Sequence, residues 1–191
     1  MLQQKYSEPC RRAHLFNQFC WMQRAHYIGL GSNLGDRHGF LDSALRLMEA
    51  CWGVRAVTSN RYQTPPWGMT EGTPDFINQV AAFQLDLSPR DVMNDLLRIE
   101  VDLGRLRGEF QHGCAYQSRT IDLDLLAVDG IAMDTPELTL PHPRIPMRRF
   151  VLAPLAELAP QMRLEPGGRT VSEMLDACPD FAPLTRLDPI A

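Results

Sequence analysis

The sequence contains no CxxC pair, no GK[ST] phosphate loop, no internal repeat and no low-complexity tract. No apolar run approaches the roughly 20 residues needed to span a bilayer. Its five cysteines, Cys10, Cys20, Cys51, Cys114 and Cys178, are odd in number and widely spaced, which excludes a disulfide framework or zinc knuckle as the basis of the fold and fits a reducing, cytoplasmic compartment. Basic excess is also missing. A net charge of −4 gives the molecule no general electrostatic attraction to nucleic acid or anionic membrane. What is present is ordinary for a soluble globular domain: 191 residues, 45% apolar and 22% charged, enough to bury one real core.

Residues 1–24 stand apart, with Lys5, Arg11, Arg12 and Arg24 against the single acid Glu8 and no signal-peptide core. They read as a flexible extension. Met22 offers a later translation start, and an organelle transit peptide is the competing reading. Residues 25–178 read as one domain, and 179–191 as a C-terminal tail.

Within the domain, Ala25–Gly31 has strand character, and SNLGDR turns the chain into a helix over 37–50 with Leu41, Ala44, Leu45 and Met48 on one face. Gly53 ends that helix. Residues 54–63 read as one strand rich in Val, Thr and Tyr. The run Thr64–Pro74 has too much proline and glycine for a regular element. Phe76–Leu87 reads as a long strand. Ser88-Pro89-Arg90-Asp91 has the pattern of a capping box opening a helix that turns Val92, Leu96, Ile99 and Leu103 inward and stops at Gly104. Residues 105–118 lack periodicity and read as a flexible loop. A strand over 120–128 follows, then the Asp129-Gly130 turn, a short strand, the proline-rich run 141–146, a helix over 150–158 and a last helix capped by Thr170-Val171-Ser172-Glu173. The order β-α-β-β-α-β at its heart predicts an α+β, ferredoxin-like α/β/α sandwich.

Three features carry chemistry. On the strand Arg119-Thr120-Ile121-Asp122-Leu123-Asp124-Leu125-Leu126, period-2 alternation sends Asp122 and Asp124 to one face and Ile121, Leu123 and Leu125 to the core. Two neighbouring carboxylates repel unless a cation lies between them, and their hard oxygens suit Mg²⁺ shared with substrate phosphates; a solvated strand face is the plain alternative. Beside them, Arg105, Arg107 and Arg119, then His142, Arg144, Arg148 and Arg149, form a basic cluster in an acidic chain. Arginine forks match phosphate oxygens, so carboxylates, arginines and a loop are the parts of phosphoryl transfer. Arg149 and Arg144 read as surface charge. Third, Phe76 and Asn78 share a strand face after the stiff Thr64-Pro65-Pro66-Trp67 segment, which suits a flat heterocycle stacked on an aromatic and read at its edge. The pattern Gly29-x-Gly31-x-x-x-Gly35 is one residue too long for a dinucleotide fingerprint.

YIGLGSNLGDR at 27–37, YQTPPWG at 62–68, PDFIN at 74–78, IEVDLGRLR at 99–107, RTIDLDLL at 119–126, LPHPR at 140–144 and RRFVLAPLAELAP at 148–160 together resemble the 6-hydroxymethyl-7,8-dihydropterin pyrophosphokinase family. The resemblance implies transfer of pyrophosphate from Mg-ATP to a hydroxymethyl-dihydropterin, with AMP leaving, on the route to folate. It implies that Asp122 and Asp124 hold two Mg²⁺ ions, with Asp122 near the hydroxymethyl group, and that Arg105 and Arg119 engage the phosphates. Glu100, Arg107, Thr139, His142 and Arg148 match nucleotide-contacting positions. Phe76 and Phe150 resemble the pair that sandwiches the pterin, with Asn78 and backbone groups of Thr64, Pro66 and Trp67 at its edge. The family usually has Gly-Pro before the arginine of RTIDLDLL, where this chain has Gln117-Ser118; Tyr116, just before, is expected to pack on the nucleotide. Loss of a loop glycine stiffens the loop, which bears on closure and turnover. Small-molecule substrates and a monomer or weak dimer are expected, without nucleic acid or membrane. The other readings are a divergent relative with weak or altered catalysis, an RNA-binding module, which two aspartates on the sheet disfavour, and a DxD glycosyltransferase, for which the chain is short.

Overall fold

The computed structural model describes residues 23–69, 72–105 and 118–188. Strand β1 (Arg24–Ser32) is followed by helix α1 (Arg37–Trp52), whose first turn is capped by Asp36 accepting the Gly39 N–H at 2.9 Å. Gly53 closes it at φ 67°, with its N–H on the Glu49 carbonyl. The predicted 54–63 strand is two short ones, β2 (Val57–Thr58) and β3 (Tyr62–Thr64), and the register against β4 (Phe76–Leu85) slips by one residue between them. Ser59 is the cause. Its Oγ, not a backbone carbonyl, accepts the Val80 N–H at 3.0 Å, while its own carbonyl is taken by Gln79 Nε2 at 2.8 Å.

Helix α2 (Pro89–Asp102) starts at Ser88, which accepts the Asp91 N–H; the Asp91 carboxylate takes the Ser88 hydroxyl, so only half of the predicted capping box forms. Strand β5 (Asp122–Val128) is followed by a small two-stranded sheet, β6 (Met133–Asp134) with β7 (Thr139–Leu140). Helix α3 (Arg149–Leu158) and helix α4 (Val171–Asp176) complete the helical set, and the Thr170–Glu173 capping box is formed in full. The segment read as a tail supplies β8 (Thr185–Arg186) on the sheet edge beside β3.

The main sheet runs β5-β1-β4-β3-β8, with β2 also on β4, and every pairing is antiparallel. Alternation splits its residues between two cores. Ile28, Leu30, Ile77, Ala81, Phe83, Leu123 and Leu125 pack under α1 and α2 through Leu41, Met48, Val92, Leu96 and Ile99. Trp52 meets Phe83 edge-on at 4.8 Å and donates its Nε1–H to Asp95 at 3.0 Å, which satisfies a polar handle inside this layer. On the opposite face Tyr27, Val80, Leu126 and Ala127 pack against Val151, Leu152 and Leu155 of α3 and Val171 of α4. No helix among the described residues is long and apolar enough to cross a membrane.

Candidate functional site

Helices α3 and α4 cover only part of their sheet face, and the uncovered part is a cavity of about 260 Å³. Its floor is the β1 pair Gly29 and Gly31. On one side these lie opposite Asp124 and Asp122 of β5; on the other, opposite Val80 and Asn78 of β4. Any Cβ at Gly31 would sit 3.2 Å from Asn78 Oδ1, 3.7 Å from the Phe76 ring and 3.9 Å from Asp122 Cβ. Glycine therefore keeps the floor low between the carboxylates and the aromatic end.

At the carboxylate end, Asp122 is held by Arg105 and by Arg119, the latter at 3.2 Å. The Arg105 guanidinium also holds Glu100, a fully buried α2 carboxylate that takes the Leu123 N–H on the free edge of β5 at 2.7 Å. Burial opposes the Arg105 charge, but Asp122 and Glu100 outweigh it and raise its pKa. Asp124 lies 4.0 Å from Arg148. Its side chain is 39% open, yet burial and then the Asp122 charge push its carboxyl up to about 6, against the pull of Arg148 and Arg119. Two hard carboxylates that repel each other, flanked by guanidinium groups, fit a divalent cation whose remaining ligands come from phosphate oxygens. Among the described residues no three His, Cys, Asp or Glu side chains gather into a complete protein-only metal cage.

His142 reaches the same end because β5 carries a bulge. The β1–β5 register shifts between Tyr27 and Ile28, leaving Leu126 as the extra residue, and its carbonyl accepts the His142 N–H at 2.7 Å. Burial, then Arg148 and Arg144, lower the His142 pKa. The neutral ring accepts the Arg144 N–H on Nδ1 at 3.2 Å, which leaves its proton on Nε2.

The aromatic end is built by Phe76, Trp67 and Phe150. The buried Arg148 guanidinium lies over Trp67 at 5.1 Å and Phe150 at 5.6 Å, and Arg119 lies over Phe76 at 5.8 Å. Asn78 donates from Nδ2 to Thr64 Oγ1 at 2.8 Å, so the β3–β4 pairing fixes the amide at the pocket edge.

Thr64, Trp67, Phe76, Asn78, Glu100, Arg105, Arg119, Asp122, Asp124, His142, Arg148 and Phe150 thus line one cavity. Pro66 does not; it lines a smaller side cavity with Trp67 and Phe150, whereas Pro65 lines both. Thr139 is also outside, its hydroxyl donating to Asp134 across the β6–β7 pair. Arg107 and Tyr116 lie outside the described residues. Arg144, read from sequence as surface charge, lines the cavity, whereas Arg149 faces the side cavity. Gly29 and Gly31 were legible only as a failed nucleotide fingerprint; their i, i+2 spacing on a strand was the usable signal, since it puts both on one face.

Residues 27–160 match the family model of 7,8-dihydro-6-hydroxymethylpterin-pyrophosphokinase. The chain is 41% identical over 155 residues to the 2-amino-4-hydroxy-6-hydroxymethyldihydropteridine pyrophosphokinase of Methylorubrum extorquens, covering 81% of this chain and 92% of that protein. It is 40% identical over 162 residues to the Pseudomonas aeruginosa protein of the same name, covering 84% and 95%. Among solved structures, an HPPK-DHPS in complex with substrates aligns at TM-score 0.61 and 12% identity over 81% of this chain and 43% of that one, a likeness of fold.

Proposed function

The chain belongs to the 7,8-dihydro-6-hydroxymethylpterin-pyrophosphokinase family, and we propose that it transfers pyrophosphate from ATP to the hydroxymethyl group of 6-hydroxymethyl-7,8-dihydropterin, releasing AMP, in folate synthesis. The observation that carries this reading is the union, in one cavity, of a carboxylate–arginine end suited to a triphosphate and an aromatic–amide end suited to a flat ring. We also read the four main strands, ordered fourth, first, third, second along the antiparallel sheet, as the ferredoxin-like arrangement.

In this reading the pterin lies between Phe76 and Phe150, with Asn78 and the Thr64 and Trp67 backbone at its edge. Arg148 and Arg119 leave their aromatic stacking partners as the ring enters. Asp122 and Asp124 would hold two Mg²⁺ ions, which would supply charge neutralisation for phosphate oxygens. Arg105 and Arg119 take phosphate oxygens, and His142 donates from Nε2 to another. The hydroxymethyl oxygen forms its bond to the β-phosphorus as the bridge to the α-phosphate breaks. The protein's work is to orient the two substrates and to neutralise the charge that develops. Glu100, which holds the Arg105 guanidinium and takes the Leu123 N–H, acts on nucleotide through Arg105. Arg107 and Tyr116 are proposed to contact nucleotide from the loop.

The buried thiol of Cys178 agrees with a cytoplasmic setting. A divergent relative with altered catalysis is not favoured, since Asp122, Asp124, Arg105 and Arg119 remain assembled. The test is AMP release from ATP and Mg²⁺ with and without 6-hydroxymethyl-7,8-dihydropterin. AMP and pyrophosphorylated pterin are expected only when the pterin is present. Pterin binding by folded protein with no AMP would overturn the reading.

A further inference from the structure

Asn33 is the first residue after β1, 2% exposed, and it does not itself line the cavity. Its side-chain Oδ1 accepts the Arg119 N–H at 2.8 Å, while its own backbone N–H donates to the Arg119 carbonyl at 3.2 Å. Both backbone polar groups of Arg119 are therefore taken by one residue. The two Nδ2 hydrogens go elsewhere: to Ser118 Oγ at 3.0 Å and to the Pro74 carbonyl at 3.3 Å. All donors of this buried amide are used, and they join three segments far apart in sequence. Pro74 opens the approach to Phe76, where Arg37 further secures the Asp75 carbonyl at 2.7 Å. Arg119 in turn contacts Asp122 and lies over Phe76.

We infer that Asn33 is a positioning residue, with Ser118 as its side-chain partner, that fixes the Arg119 backbone so that the guanidinium is aimed between the carboxylates and the aromatic platform. The inference rests on the pyrophosphoryl-transfer reading, in which Arg119 engages phosphate. A fixed backbone matters because a long side chain aimed from a wandering Cα loses the geometry that transfer requires, and a misplacement of about 1 Å can cost about 100-fold in rate. Only an amide fits the three-way site. Aspartate keeps an acceptor for the Arg119 N–H but sets a carboxylate against the Pro74 carbonyl.

The experiment is a double-mutant cycle on the full chain, combining Asn33→Ala or Ser118→Ala with Arg119→Ala, and reading kcat and the two KM values separately. Asn33→Ala is expected to lower kcat on the order of 30- to 100-fold with KM for ATP changed less than about threefold, Asn33→Asp to fall between it and wild type, and Ser118→Ala to lose roughly threefold. In the Arg119→Ala background each substitution should change kcat less than about twofold. Additive losses there, or wild-type kcat in Ser118→Ala, would overturn the inference. Ser118→Ala keeps the test decisive if Asn33→Ala fails to fold. Wild type that forms no pyrophosphorylated pterin would sink the functional reading instead. The cycle is then read as Mg-ATP affinity by calorimetry, where non-additivity supports the positioning role and additivity rejects it.

Discussion

Asp122 on β5 is held by Arg105, which comes from the end of α2 on the other face of the sheet. The same guanidinium nitrogen also serves the buried Glu100 carboxylate. The cavity's central carboxylate is thus tied to a helix that packs into the opposite core, and the ligand end inherits its rigidity from that core.

Replacing either aspartate with asparagine, Asp122→Asn or Asp124→Asn, removes a hard anionic ligand while keeping the side-chain shape. Pyrophosphoryl transfer should fall on the order of 10³-fold. Far-UV circular dichroism should stay unchanged, because both side chains face the cavity. Near-normal turnover in either variant would reject the metal assignment.

The raised Asp124 carboxyl makes stability depend on pH. Below the ordinary carboxylate range the group is protonated in both folded and unfolded states and contributes nothing. As pH rises toward about 6 the unfolded chain ionises first, so the folded state is progressively penalised, and above about 6 the penalty is complete. Without Mg²⁺ or nucleotide, Asp124→Asn should therefore melt higher than wild type at pH 8, and the gap should close by about pH 4. A gap independent of pH would show that Asp124 ionises normally.

Arg105→Ala removes the cation that shares Glu100 with the Leu123 N–H. Taking the cationic partner from a buried carboxylate costs about 3 kcal/mol, seen in urea unfolding. Glu100→Gln added to Arg105→Ala should recover part of this, since a neutral amide oxygen still accepts from Leu123. Turnover should not recover, because Arg105 is also proposed to engage phosphate. Full recovery of turnover would contradict that role.

Gly31→Ala places a methyl against Asn78 Oδ1 and the Phe76 ring. The pterin should bind roughly 10-fold or more weakly, by about 1.4 kcal/mol, with ATP affinity altered less. Equal weakening of both would mean that the sheet floor, rather than the pterin end, has shifted.

Much of this site was legible because alternation on a strand is a local rule. It correctly put Asp122 and Asp124 on one face, with Leu123 and Leu125 in the core, and it put Phe76 and Asn78 together. Local capping chemistry likewise marked where α2 and α4 begin, at Ser88 and Thr170. The break between β2 and β3 was hidden, because it depends on Ser59 taking the Val80 N–H, a partner 21 residues away. The short β8 was hidden as well, since it is a strand only by pairing with β3.

By itself the sequence determined the chemical inventory and which neighbours along each element share a face, since backbone periodicity and capping act over a few residues. Tertiary structure alone decided that Glu100 would meet Arg105 and Leu123 and that Arg144 would join the cavity. It also decided that Asn33 would bind Ser118, Arg119 and Pro74 at once. Those outcomes follow from which donors and acceptors meet when distant segments close around one sheet end, where burying a polar group favours whatever partner the packing brings within about 3 Å.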